Sequence, residues 1–139
     1  MSVWDNLSGR SVTSEQKAYL EAMLIIIMAD GKLEQDEFRQ LFMLCNGFDV
    51  FEGLSDKTII GSLEESYQRF GRINSQARIG EVAQVLQSKQ QRMEALYMAR
   101  VVANANGVNK IEDQLTIQMK QIFGLSDAEY QRVLDGDIY

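Results

Sequence analysis

The chain contains no proline in 139 residues. Proline is the residue that most strongly interrupts a helix, so its absence leaves every segment free to be helical. Apolar residues recur at helical spacing along most of the sequence, and no segment shows the strict alternation of a half-buried strand. We therefore predict an all-α fold, a single-domain bundle of about seven helices.

The first helix is predicted from Ser14 to Ala29. Its segment from Met23 to Met28 is apolar on all sides, which is typical of a helix buried at the centre of a protein. The three isoleucines in this segment also suit a strand. The helix-forming residues from Glu15 to Leu24 favour the helical interpretation.

Six further helices follow from apolar periodicity and from residues typical of helix ends. Five of them are predicted to begin near Glu34, Ser55 and Asn74, at Asn109 and at Ser126. The other passes through Met93 to about Ala105, and the polar run 87–91 before Met93 is either a break or a solvated face. Two capping boxes are predicted, Thr13 with Gln16 and Ser126 with Glu129. The third helix is predicted to bury the stripe Ile59, Leu63, Tyr67 and Phe70. The last helix is predicted to end near Leu134, with a frayed tail over 135–137.

The composition of the chain argues against several classes of function. The net charge is −6 and the fourteen Lys and Arg are scattered, which argues against a nucleic-acid partner, because phosphate binding needs a basic surface. The absence of histidine removes the commonest general base and metal ligand. The single cysteine, Cys45, cannot form an internal disulfide and is expected in the core.

No signal peptide is visible and the apolar stretch 22–29 is too short to span a bilayer, so we expect a cytoplasmic protein without a membrane span.

A short motif occurs twice, 76 residues apart. Ala29-Asp30-Gly31, followed by Asp36-Glu37, is echoed by Ala105-Asn106-Gly107, followed by Glu112-Asp113. Each copy follows a mostly apolar helix and precedes an amphipathic one. The echo predicts a pseudo-two-fold repeat, with an N-terminal arm at 1–13, a first half at 14–71 and a second half at 74–135.

The first copy resembles part of a calcium-binding EF-hand loop, with Gly31 at loop position 6 and Glu37 at position 12. Positions 1 and 3 then fall on Ile26 and Met28, which have no side-chain oxygen, so an EF-hand is not expected. The same acids suit a different metal site if the two halves pack face to face. The candidate ligands of this site are Asp30, Asp36, Glu37, Asn106, Glu112 and Asp113. Their oxygen atoms suit a hard divalent cation such as Ca²⁺, Mg²⁺ or Mn²⁺, and no other cofactor is expected.

A purely structural explanation of these residues is the alternative. Acidic residues in the first turn of a helix are favoured by the helix dipole alone. Asp-Gly and Asn-Gly are also ordinary turn-forming pairs. The asparagine at position 106 lowers the charge of the candidate site.

Enzyme classes find little support. The sequence has no glycine-rich phosphate loop, no Gly-x-Ser-x-Gly nucleophile motif and no Cys-His pair. Paired carboxylates are able to hydrolyse glycosides, but the apolar residues of a small domain are needed for its core. Five methionines, at 23, 28, 93, 98 and 119, are likewise expected to fill the core rather than form a binding surface. We therefore expect a protein that is not an enzyme.

The ordered set of motifs resembles the TerB-like (tellurite-resistance) domain family. The resemblance rests on Ala-Asp-Gly-Lys-Leu with Asp-Glu-Phe at 29–38, on their echo at 105–113, and on Ile-Phe-Gly-Leu-Ser-Asp-Ala-Glu-Tyr at 122–130. It extends over roughly residues 15 to 135. It implies an all-α bundle of about seven helices with pseudo-two-fold symmetry.

The resemblance also implies a role in tellurite and stress resistance and a metal-binding acidic patch. By position the patch comprises Asp30, Asp36 and Glu37, with Asn106 and either Glu112 or Asp113 in the second half. A carboxylate cluster repels the tellurite anion, so we expect signalling or scaffolding with a protein partner instead. The alternative is a structural or interaction domain without metal. The sequence does not define the oligomeric state.

Overall fold

The computed structural model describes residues 12–28, 35–69, 74–105 and 110–139, except for the side chains of 110–113. Seven α-helices and one short 3₁₀ helix lie in these ranges, and no strand does. The α-helices are α1 (Ser14–Ile27), α2 (Gln35–Cys45), α3 (Asp56–Arg69), α4 (Ser75–Val85), α5 (Lys89–Ala105), α6 (Lys110–Phe123) and α7 (Asp127–Asp135). The 3₁₀ helix is Asp49–Phe51. The all-α prediction is confirmed.

Helix α1 lies at the centre of the fold. It packs against α3, α4, α5 and α6, and its apolar residues from Ala18 to Met28 are buried. A helix that is apolar on all sides is stable only when other elements surround it. The predicted position of this helix is therefore confirmed.

Two helices begin as their end signals predict. In both capping boxes the hydroxyl of the first residue accepts a hydrogen bond from the backbone N–H three residues later. The side chain of that later residue accepts in return from the backbone N–H of the first. The two boxes are Thr13 with Gln16 and Ser126 with Glu129. Asn74 also caps α4, because its side chain accepts from Ala77 N. Such caps satisfy backbone N–H groups that the first helical turn leaves unpaired.

The core contains the residues that the sequence indicates, with one exception on α3. Cys45 and all five methionines are buried. Tyr67, however, is 40 % exposed, so its predicted place in the stripe of α3 is wrong. Ser62 and Ser66 are buried on that face instead. Phe70 lies outside the described residues.

The prediction of a frayed tail after residue 134 is also wrong. Helix α7 ends at Gly136, which adopts the left-handed conformation with φ 74° and closes the helix as a C-terminal cap. The backbone carbonyl of Asp137 accepts from Arg132, and Ile138 is buried. Burial of an apolar residue after the cap fixes the direction of the chain.

The pseudo-two-fold repeat stays a prediction. Helix α3 packs against α1, and α7 packs against α5, as the repeat requires. Helix α4, which follows the first half, packs against α1 and α6. None of the helices in the described ranges is long and apolar enough to cross a bilayer.

Candidate functional site

Two of the six candidate metal ligands are described in full. Asp36 and Glu37 lie in the first turn of α2, as the sequence predicts. Asp36 is exposed and Glu37 is half-buried. Acidic residues are common in a first helical turn because of the helix dipole alone, so this position does not by itself require a metal ion.

The other four candidates cannot be placed by their side chains. Asp30 and Asn106 lie outside the described residues. Glu112 and Asp113 lie near the start of α6, and only their backbone is described. Among the side chains in the described ranges, no three Asp, Glu, His or Cys lie together as a metal site would need.

A hydrogen bond joins the middle of α2 to the end of α5. The side-chain amide of Gln40 donates to the backbone carbonyl of Ala105 over 3.2 Å. Gln40 lies one turn after Asp36, and Ala105 is the last residue of α5. One side chain of α2 therefore reaches the C-terminal end of α5.

The outward face of α2 borders a shallow groove of about 570 Å³. Its described lining residues are Asp36, Arg39, Gln40, Met43 and Leu44. Met43 is 64 % exposed, the largest exposed fraction of any apolar side chain on this helix. The opposite face of α2 packs inward through Leu41 and Cys45. The groove therefore combines an apolar side chain with charges of both signs.

A buried ion pair, which the sequence interpretation missed, links α1 to α4. Nη2 of Arg78 lies 3.1 Å from Oε1 of Glu21 and 3.4 Å from the carbonyl oxygen of Ser66. Arg78 is completely buried, and the side chain of Glu21 is only 9 % exposed. Two signals in the sequence point to this pair. Glu21 is the one charged residue between Ala18 and Met28, and Arg78 lies four residues before the core residue Val82.

Arg69 extends this pair to the surface. Its guanidinium lies 3.4 Å from Glu21 and 3.5 Å from Glu81. These three side chains, with Lys17, border a cavity of about 220 Å³. Four charges of both signs therefore meet where α1, α3 and α4 join.

Burial has the largest effect on the pKa values of both members of the ion pair. It raises the pKa of Glu21, and the positive charges of Arg78 and Arg69 offset part of this rise. Burial also lowers the pKa of Arg78, which the negative charge of Glu21 opposes. Removing charges from water disfavours the ionised forms even when they are paired.

Cys45 has the properties of a core residue. It is completely buried on α2, and burial raises the pKa of its thiol to about 12. A thiol with such a pKa is protonated at neutral pH and is a poor nucleophile. The expected core role of Cys45 is confirmed.

Comparisons of the chain with family models, with curated proteins and with solved structures give no match, so the resemblance to TerB-like domains rests on the sequence motifs alone.

Proposed function

We propose that this chain is a non-enzymatic helical module, similar to TerB-like domains, that binds a protein partner and a divalent cation. The cation would be held by Asp30, Asp36 and Glu37, together with Asn106 and either Glu112 or Asp113. In this proposal the acidic corner is a signalling or scaffolding element of a stress response, and the cytoplasm is its expected location.

The single observation that supports the cation site is the hydrogen bond between Gln40 and Ala105. The two candidate groups of ligands lie far apart in the sequence, so they form one site only if the two helix junctions approach each other. Asp36 and Glu37 lie about one turn before Gln40 on α2, and Ala105 directly precedes Asn106 in the sequence. Ions such as Ca²⁺, Mg²⁺ and Mn²⁺ bind several oxygen ligands, and the two motifs together would supply more of them than either motif alone.

A binding role rather than catalysis is favoured by the chemistry of the available groups. The sequence has no histidine, and Cys45 is buried with a raised pKa. The buried carboxylate Glu21 is held by two arginines. A carboxylate held in this way is a structural partner and is poorly placed to accept a proton from a substrate.

Thermal unfolding in the presence of EDTA and of each cation tests the proposal. At an ion concentration ten times the dissociation constant, linkage predicts about 1.4 kcal/mol of stabilisation, or roughly 3–5 °C in Tm. The double variant Asp30→Asn/Glu37→Gln is expected to lose this shift. The matched control Asp56→Asn/Glu64→Gln removes the same charge, including an acid in the first turn of α3, and is expected to keep it.

A second candidate function is a protein-interaction module without metal. The observation that favours it is the exposed Met43 beside Arg39 on the groove of α2, because exposed apolar and arginine side chains are enriched at interfaces. If no cation raises Tm up to millimolar concentration, the metal proposal is wrong and this alternative stands. A photo-crosslinker at position 43 should then give a discrete adduct that Arg39→Glu abolishes and that the same crosslinker at position 64 does not form.

A further inference from the structure

A second cavity, of about 240 Å³, lies between the segment 47–50, helix α5 and the residues after α7. Three aromatic side chains border it, Phe48, Tyr97 and Tyr139. Two carboxylic acids, Asp49 and Glu94, and the thioether residue Met98 also line its wall. The cavity is therefore both aromatic and acidic.

Contacts outside the cavity hold its walls in place. The ring of Phe48 packs edge-to-face on the buried Phe51, with 6.4 Å between centroids. Gln16 donates from its side-chain amide to the carbonyl of Val50 over 2.8 Å. Gln90 donates to the carbonyl of Ile138 over 2.7 Å, and the burial of Ile138 anchors the chain just before Tyr139. Tyr139 also lines the cavity and is mostly exposed.

Neutral donors position the carboxylate of Glu94. Its Oε2 accepts from the hydroxyl of Tyr19 over 3.0 Å, and its Oε1 accepts from the side-chain amide of Gln90 over 3.4 Å. Neither donor carries a positive charge, so these bonds orient the carboxylate and leave its negative charge uncompensated.

The local potential is negative. No Lys or Arg is among the described residues that line the cavity, and within the described ranges neither Glu94 nor Asp49 forms a salt bridge. The pKa of Tyr139 is raised by burial first and then by the negative charges of Glu94 and Asp49. The pKa of Tyr19 is raised by burial and by Glu94. Burial disfavours a charge of either sign, so it is the contribution of the two carboxylates to these shifts that also favours a cation.

We propose that this cavity binds a quaternary alkylammonium group. Aromatic faces attract such cations electrostatically, and recognition of choline and methylated lysine by aromatic side chains follows this principle. Glu94 and Asp49 supply the opposite charge. The aromatic rings and Met98 offer the methyl groups of a methylated ammonium an apolar surface, which a strongly hydrated primary ammonium uses less well.

The size of the cavity limits the ligand to a head group. Pockets for drug-sized ligands measure roughly 300–1,000 Å³, and this one is smaller. A free choline-like molecule and the trimethyl-lysine side chain of a protein carry the same group. The experiment must distinguish these two sources.

Titrations followed by NMR of the full chain test the proposal. The probes are choline, its neutral isostere 3,3-dimethylbutanol, and a short peptide with trimethyl-lysine or unmodified lysine. We expect saturable shifts at Tyr97, Tyr139 and the amides of 47–50, with choline binding at least tenfold more tightly than the isostere, which is about 1.4 kcal/mol. Tighter binding of the trimethyl-lysine peptide than of choline would identify a protein source, and tighter binding of choline a small molecule.

Variants separate this cavity from general charge effects. Glu94→Gln keeps an acceptor for Tyr19 and removes the charge, and Tyr97→Leu removes an aromatic wall. Each is expected to weaken choline binding about fivefold or more, by the loss of one ionic or cation–π contact. Glu64→Gln and Tyr67→Leu on α3 are exposed controls that should keep the affinity. Unfolding curves of every variant verify folding, and Asp49→Asn on the exposed segment replaces any variant that does not fold.

Three results would overturn the proposal. The first is equal binding of choline and 3,3-dimethylbutanol. The second is unchanged affinity in both Glu94→Gln and Asp49→Asn. The third is the absence of saturable shifts up to about 100 mM choline. A dissociation constant above that concentration would mean far weaker binding than the millimolar affinity that corresponds to about 4 kcal/mol.

Discussion

The guanidinium of Arg78 on α4 donates to the carboxylate of Glu21 on α1 over 3.1 Å, at a depth where Arg78 has no contact with solvent. The same carboxylate oxygen also lies 3.4 Å from Arg69 on α3. One acid therefore connects three helices of the bundle. Its burial makes the stability of the fold sensitive to changes in either partner.

Replacing Arg78 with methionine should destabilise the protein by about 3 kcal/mol at neutral pH. The variant keeps the packing volume and leaves the carboxylate of Glu21 buried without its closest partner, and breaking one side of a buried pair typically costs about 3–5 kcal/mol. The double variant Glu21→Leu/Arg78→Met should recover most of this loss, because it removes both buried charges. Urea unfolding of the three proteins measures the effect. Arg69→Met, at an exposed position, is the control and should cost about 1 kcal/mol or less.

The stability of the protein should depend on pH through Glu21. Burial raises the pKa of this group in the folded state above its value in the unfolded chain. Between the two pKa values the folded state binds more protons, so the free energy of unfolding falls as pH rises. The contribution of Glu21 is thus fully present below the unfolded pKa and is lost as pH rises through the folded pKa. Wild type should lose stability relative to Glu21→Gln over this window, and a parallel pH dependence of the two proteins would contradict the raised pKa.

Arg92, near the start of α5, should contribute strongly to the free energy of unfolding. Its guanidinium donates to the carbonyls of Leu86 over 2.6 Å, Ala83 over 2.7 Å and Phe123 over 3.0 Å. These carbonyls belong to the C-terminal ends of α4 and α6, where helical partners are lacking. Arg92→Met is expected to cost about 2–3 kcal/mol in urea unfolding, since hydrogen bonds to charged groups contribute about 1.5–3 kcal/mol. Arg92→Lys should not restore it, because one ammonium lacks the planar fork that reaches all three oxygens.

The capping box of α7 should contribute measurably on its own. Ser126 accepts from Glu129 N over 3.1 Å, and Glu129 Oε1 accepts from Ser126 N over 2.8 Å. Ser126→Ala is expected to lower the free energy of unfolding by about 1 kcal/mol. Ser126→Asp retains a cap and should stay near wild type. Equal losses in both variants would mean that the serine acts by something other than capping.

Local signals in the sequence predicted the helices well because they act over a few residues. The capping boxes of Thr13 with Gln16 and of Ser126 with Glu129 depend on residues three positions apart, so the sequence alone indicates these helix starts. The apolar run around Ile25, preceded by helix-forming residues, indicated a buried helix, and this helix is central in the fold. Features of this kind depend on spacing along one helix.

Features that depend on several helices were missed. Tyr67 has the right spacing for a core residue, but the neighbours of α3 pack against Ser62 and Ser66 instead. Glu21 and Arg78 are 57 residues apart, and only the packing of α1 against α4 brings them together. Ile138 is buried after a left-handed glycine, where helical periodicity no longer applies. Pairing of buried charges is a property of the tertiary structure, which a single helical pattern does not contain.

The candidate metal site was predicted from a repeated motif, and the structure tests only part of its geometry. Asp36 and Glu37 begin α2 as expected, and α2 contacts the end of α5. Glu112 and Asp113 lie near the start of α6. The approach of the two motifs is supported through Gln40 and Ala105, and the binding of a cation stays a prediction.

Paramagnetic broadening by Mn²⁺ is the most direct test of the proposed cation site. In NMR spectra of the full chain, Mn²⁺ well below one equivalent should selectively broaden the amides of 29–37 and 104–113, and excess Mg²⁺ should reverse the effect. Amides of α3 and α7 should stay sharp. Broadening spread evenly over the exposed acids, or none at either motif, would contradict the claim that the two motifs form one cation site.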